Sequence, residues 1–273
     1  MIFRRRPFQP NDSNRKTFRF LLKTFGQKIL SRFLPKPSIP IQQEAEGKLE
    51  FYLNFKNMIP GWCDYFSIQL LIKLDQLQKQ HKIQGDVFEI GVFHGMSAVL
   101  FTILNENTDA ELNFCDLFEG ERLDNFLLYK NHLASEERDI KILKKSSHDL
   151  QDSDVSKNNK LIHIDGGHDY KDIYNDMEFC FNRLAPKGVL VIDDYLHFAL
   201  PDVTFGLNDF LSSHKTISPF LFAFGKAYCC RAEDKEWFDL EIKNILDSED
   251  YKIHKLRPSA LKLHGQDILV VKK

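Results

Sequence analysis

The stretch Leu161-Ile162-His163-Ile164-Asp165-Gly166-Gly167-His168 begins as a strand and ends in groups that can do chemistry. Leu161, Ile162 and Ile164 are apolar. An acid, two glycines and a histidine follow, and near Tyr170 a helical pattern takes over. Such a junction is either a tight strand-to-helix turn with a polar tip or one half of a metal and catalytic site. In the second reading the other half is Asp193-Asp194, which closes the apolar run Gly188–Ile192. Three more polar clusters end apolar runs: Glu89, Asp116 and Ser146-Ser147-His148. Carboxylate and imidazole groups bind cations and move protons near neutral pH.

The elements that must position these groups alternate. Short apolar runs at Asp86–Ile90, Leu112–Cys115, Ile140–Leu143, Leu161–Ile164 and Gly188–Ile192 read as strands. Helical spacing separates them at Met96–Leu104, Arg122–Ala134 and Tyr170–Leu184. Alternation of this kind predicts βαβ units and an α/β, doubly wound, mostly parallel sheet. Such sheets bind ligands beyond the carboxyl ends of their strands, so the five polar clusters should face one crevice. Upstream, residues 43–58 read as helical, and Asp64–Gln80 as a helix with Asp64 as its cap. Downstream, residues 232–248 read as helical and Gln266–Lys272 as a last strand, paired with either Phe220–Phe224 or Ala227–Cys230.

The chain has 273 residues, 43% hydrophobic and 28% charged, which suits a soluble globular protein that needs no disulfides. Its five cysteines show no metal-ligand spacing, and a reducing, cytoplasmic setting is expected. Residues 1–40 carry ten basic side chains against Asp12 alone, a net charge of +9 that leaves about −11 on the rest. A basic amphipathic helix over about Thr17–Phe33, followed by the stiff linker PKPSIP (35–40), suits packing on its own domain or a second subunit, or peripheral contact with an anionic membrane, the alternative being a disordered arm. The acidic body shows no basic stripe with interleaved aromatics, which disfavours nucleic acid as a partner. The expected organisation is a basic arm and linker (1–40), a helical cap (41–82) and a catalytic domain (83–273), with homo-oligomer formation through residues 1–60.

The first turn reads Glu89-Ile90-Gly91-Val92-Phe93-His94-Gly95-Met96-Ser97. Its glycines are spaced G-x-x-x-G. Phe93 stands where a dinucleotide fingerprint has its middle glycine, which argues against a nicotinamide-dependent oxidoreductase. FEIGVFHGMSAVLF (88–101) resembles the first motif of class I S-adenosylmethionine-dependent methyltransferases, and especially the metal-dependent catechol type. CDLFEG (115–120) is similar to the D-x-F-E-G signature of the macrocin O-methyltransferase-like family, which methylates sugar hydroxyls. IHIDGGHDYKDIYNDM and GVLVIDDY resemble that family's D-G-x-H and D-D-Y segments. The likeness spans about residues 60–200.

The resemblance implies a seven-stranded Rossmann-like methyltransferase fold with an N-terminal helical extension. It implies S-adenosylmethionine held by Glu89, Gly91, Gly95 and Ser97 at its methionine part and by Asp116 at the ribose. Leu117 and Phe118 would lie against the adenine, with Ser147 and His148 at its amino edge. Asp165, Asp193 and Asp194 would be the ligands of Mg²⁺, an assignment that suits three carboxylates which would otherwise repel one another. His168, where the catechol type has a lysine, would be the base, or Asp165 if no metal is present. Gly166 and Gly167 would let metal and substrate approach the backbone. The acceptor would be a small molecule's hydroxyl, on a sugar or glycoside. The competing readings are a metal-independent methyltransferase and a noncatalytic protein that binds the cofactor as a scaffold.

Overall fold

The computed structural model describes residues 41–247, 257–263 and 265–272. The basic arm and its amphipathic helix lie outside the described residues. The chain divides into two compact units, Met1–Pro60 and Gly61–Lys273. In the first, helix α1 (Ile41–Phe55) runs into a 3-10 turn, Lys56–Met58.

The second unit opens with α2 (Tyr65–Gln80), capped as expected: the Asp64 carboxylate accepts from the Phe66 N–H at 2.9 Å. There follow β1 (Asp86–Ile90), α3 (Met96–Leu104), β2 (Leu112–Asp116), α4 (Arg122–Leu133) and β3 (Lys141–Lys144). A 3-10 turn, Ser147–Asp149, leads to β4 (Asn159–Ile164), α5 (Tyr170–Phe181), β5 (Leu184–Ile192) and α6 (Pro201–Ser213). The hairpin β6 (Ile217–Ala223) and β7 (Lys226–Arg231) comes next, then α7 (Lys235–Leu246), β8 (Arg257–Leu263) and β9 (Gln266–Lys272).

The strand order is β3-β2-β1-β4-β5-β7-β6-β9-β8. The first five strands are parallel, and β7 reverses against β5. Through β6 this is the Rossmann-like, mostly parallel sheet expected from the alternation. Strands β9 and β8 widen it at the edge. Both segments offered as alternatives for pairing with the last strand are strands, because β6 and β7 form one antiparallel hairpin. Helix α5 stops at Phe181, short of Leu184, because Leu184 already begins β5.

Side chains alternate across the sheet. On one face Phe88, Ile90, Ile162, Ile164, Leu190 and Ile192 form a buried cluster with Ile173 and Met177 of α5 and Val203, Leu207 and Phe210 of α6. Glu89, His163 and Val191 are register partners and point to the other face. There Phe101 of the almost wholly apolar α3 packs edge-on against His163, ring centroids 5.7 Å apart. A buried side chain of this size contributes roughly 2–3 kcal/mol. The strand order reverses between β1 and β4, where the residues expected to form the site leave their strands.

Candidate active site

The ends of four strands are knitted into one row. The Gly91 N–H donates to the Cys115 carbonyl at 2.8 Å, the Asp165 N–H to Ile90 at 2.8 Å, and the Asp193 N–H to Ile164 at 2.9 Å. Asp116, Gly91, Asp165 and Asp193 therefore leave their strands side by side. Gly91 has φ +87°, and a Cβ there would lie 1.8 Å from the Asp165 carbonyl oxygen. Only glycine lets β1 and β4 approach so closely. Phe93, Phe118 and Asp194 also have positive φ, at 55°, 47° and 54°. Non-glycine residues held this way cost free energy and gather at functional sites.

Asp116 holds the glycine turn. Its Oδ2 accepts from the N–H groups of Val92 and Phe93, both at 2.9 Å, and its Oδ1 from the Phe118 N–H at 2.6 Å. The exposed Leu117 beside it offers an apolar surface, whereas Phe118 is 1% exposed and stacks on Phe126. The expected adenine contact at Phe118 is therefore corrected: its ring belongs to the core under α4. Phe93 lies between Trp62 (stacked, 5.9 Å) and the Arg122 guanidinium (4.9 Å from the ring centroid).

The Glu89 side chain does not reach the crevice. It is fully buried, and its Oε1 lies 2.7 Å from His163 Nδ1. Burial pushes its carboxyl up, against the opposing pull of His163 and the Ser97 hydroxyl. This corrects the assignment of Glu89 as a direct cofactor contact: its carboxylate braces β1 against β4 through His163. Gly95 stands at the head of α3 with φ +90°, where a Cβ would meet Phe126 at 2.2 Å.

Ser147 and His148 are brought to α5. His148 Nε2 lies 2.7 Å from Asp172 Oδ1, and Ser147 is a polar neighbour of the buried Asp176. Asp172 explains Gly167, where a Cβ would lie 2.2 Å from its carboxylate oxygen. That glycine makes room for a side chain of the protein, not for a ligand. Burial pushes the Asp176 carboxyl up to about 6, against the opposing pull of Ser147 and Asn175. A carboxyl raised in the folded state costs stability as pH rises from its unfolded value, about 3.9, through its folded one. Asp176→Asn should therefore gain relative to the wild type between pH 4 and pH 7, by on the order of 3 kcal/mol. Paired urea melts at the two pH values test this; a pH-independent difference refutes it.

The acids expected at the site split into two sets. His168 Nε2 lies 3.2 Å from Asp194 Oδ2 and 3.7 Å from Asp165 Oδ1. These three residues present ligand atoms within 4.8 Å of one another, the only such metal-competent group of His, Cys, Asp or Glu among the described residues. The Asp165 and Asp194 carboxylates favour the charged form and push the His168 imidazole up to about 10. Burial raises the Asp165 carboxyl, and the neighbouring Asp193 adds to the rise against the pull of His168.

Asp193 is engaged elsewhere. Its Oδ2 is ion-paired with the Lys226 ammonium, and its Oδ1 accepts the Asp194 N–H at 2.8 Å. Lys226 is 3% exposed and also lies 3.3 Å from His163 Nε2. Burial pulls its ammonium down, but Asp193 outweighs this and holds it above the ordinary lysine value. Burial likewise raises Asp193, and Lys226 reverses that to a net lowering. The expected Asp165-Asp193-Asp194 ligand set is thus not assembled, because an internal cation takes the Asp193 oxygen. The sequence reading missed Lys226. Its signal was a lone charge heading the apolar run Ala227-Tyr228-Cys229-Cys230, which requires a buried partner.

Residues 88–195 match the family model of a methyltransferase domain. The matched segment contains every site residue expected from the sequence and excludes Lys226. No curated protein is significantly similar. Among solved structures, a Staphylococcus aureus protein assigned as a caffeoyl-CoA O-methyltransferase is 16% identical, with a TM-score of 0.51 over 81% of this chain and 100% of its own. A cofactor-bound protein from MTB is 12% identical (TM-score 0.50; 82% and 99% covered). A protein from Corynebacterium glutamicum is 13% identical (TM-score 0.50; 80% and 97% covered). These likenesses establish the Rossmann-like methyltransferase fold. No helix among the described residues is long and apolar enough to cross a membrane.

Proposed function

We propose that the protein is an S-adenosylmethionine-dependent O-methyltransferase. The observation that carries this reading is the row of strand ends: a glycine turn fastened by Asp116 stands beside an Asp165-His168-Asp194 cluster. The first half suits a nucleoside with a charged tail. Asp116 keeps acceptor capacity for ribose hydroxyls, Leu117 offers an apolar wall to the adenine, and the backbone at Gly91 and Gly95 faces the methionine part. The second half suits an acceptor hydroxyl that must lose a proton. The methyl group would pass in line from the sulfonium to that oxygen, with most of the rate gain coming from holding the two together.

Asp165 and Asp194 fit a divalent cation, Mg²⁺ by the family resemblance, since their oxygens flank one point with intermediate exposure. Such a cation would lower the pKa of a bound hydroxyl. His168 bridges the two carboxylates as an imidazolium when they face no other charge. With their charge otherwise compensated, it is freed to accept the acceptor's proton. A sugar or glycoside acceptor is supported by the likeness of CDLFEG to the macrocin-type signature. The metal-independent reading has its own support: Lys226 and His168 already compensate all three acids.

Isothermal titration with S-adenosylmethionine and its demethylated product, with NADH as control and with or without Mg²⁺, tests the proposal. Binding of the methionine-derived ligands alone is expected. Folded protein that binds neither, or that prefers NADH, refutes it.

A further inference from the structure

A buried polar chain crosses the sheet beneath the site. It runs from Glu89 through His163 and Lys226 to Asp193, on β1, β4, β7 and the end of β5. The Lys226 ammonium must donate to His163 Nε2, which leaves Nδ1 to donate to the Glu89 carboxylate. The side chains of Glu89, His163 and Lys226 are no more than 2% exposed, so the ammonium cannot swing into solvent. Asp193 keeps one oxygen on that ammonium and the other on the Asp194 N–H.

We propose that Lys226 withholds Asp193 from the neighbouring cation site, making Lys226 the residue that sets how tightly the site binds a divalent metal. The site then offers two carboxylates, Asp165 and Asp194, where its strand ends carry three. A site with fewer anionic ligands binds a hard cation more weakly. Lys226 acts through Asp193 and is a positioning residue. This inference rests on the methyltransferase reading for the purpose of the site, but its test does not depend on turnover.

The probe is Mn²⁺ alone, titrated calorimetrically into the full chain as wild type, Lys226→Met, and Lys226→Met with Asp193→Asn. Removing the ammonium frees a carboxylate, so Lys226→Met should bind Mn²⁺ at least tenfold more tightly than wild type. The double variant replaces the ion pair by a neutral pair, a change that buried ion pairs often tolerate. It should return to within about threefold of wild type. Unchanged or weaker binding by Lys226→Met overturns the inference. So does loss of Mn²⁺ binding in the double variant, which would make Asp193 a ligand in the wild type, and so does absence of binding in all three. If Lys226→Met alone does not fold, the double variant decides. Each sample is also titrated with S-adenosylhomocysteine. Wild type that binds it while the Mn²⁺ pattern fails loses only the role of Lys226. Wild type that does not bind it loses the functional reading.

Discussion

Gly91→Ala should leave little folded protein. The new methyl would sit 1.8 Å from the Asp165 carbonyl oxygen and 2.7 Å from the Gly166 nitrogen, both backbone atoms that no rotamer change can move. Relief requires β1 and β4 to part, which breaks the Asp165 N–H bond to Ile90 and shifts the acid that faces His168. The left-handed φ of +87° adds its own cost, about 1–2 kcal/mol for a residue with a Cβ. Overpacking against fixed backbone adds about 3 kcal/mol or more. Together these approach the whole stability of an ordinary domain, roughly 5–15 kcal/mol. Gly47→Ala is the control, because nothing lies within 4 Å of its Cβ position in α1, where alanine favours the helix. Urea midpoints of the two variants against wild type measure the effect. A Gly91→Ala protein with a wild-type midpoint would mean the strand ends do not meet as described.

The parallel half of the sheet was legible because each strand is a short apolar run closed by a polar cluster, a pattern local to five or six residues. The helix α6 was not read, although its signal is present. Pro201 stands at its first turn, and Val203, Leu207, Phe210 and Leu211 repeat at helical spacing. Of the phenylalanines in that region, Phe210 is buried in the core while Phe205 is exposed. Strand β8 is a different case. RPSALKL has weak strand character of its own and is held by its ladder to β9. A ladder partner is a tertiary fact that no window of the sequence contains.

The site divides in the same way. Gly91, Asp116, Asp165, His168 and Asp194 were legible because their positions follow from chain order alone: each stands at or just after a strand end, and the fold brings those ends together. What the order could not show is which way each side chain turns. Glu89 and Asp116 both end strands, yet Glu89 points into the sheet toward His163 while Asp116 fastens the turn. Asp193 and Asp194 are adjacent, yet one meets Lys226 and the other His168. In the second pair the positive φ of Asp194 accompanies the divergence of the two carboxylates, so a single strained residue assigns them to different partners.

His168→Ala should lower turnover by about 10²–10⁴-fold and leave S-adenosylmethionine affinity within a fewfold of wild type. The imidazole is the one group in the cluster able to accept a proton from an acceptor hydroxyl without giving up a negative charge. It stands 3.2 Å from Asp194 and 3.7 Å from Asp165, and takes no part in the Asp116 turn that would hold the cofactor. Those two carboxylates push its pKa up to about 10, so the metal-free protein holds it as imidazolium at neutral pH. The sign is that of a histidine stabilised in its charged form: the interaction is complete below about pH 6.5 and is lost as pH rises through about 10. Asp194→Asn should therefore bring the His168 midpoint down, as read from imidazole proton shifts, while His168→Ala abolishes that titration. Turnover is measured with saturating cofactor and any hydroxylated acceptor found in a screen. If kcat is unchanged in His168→Ala, the imidazole is not the base. A loss of cofactor affinity equal to the loss of turnover would instead assign His168 to binding.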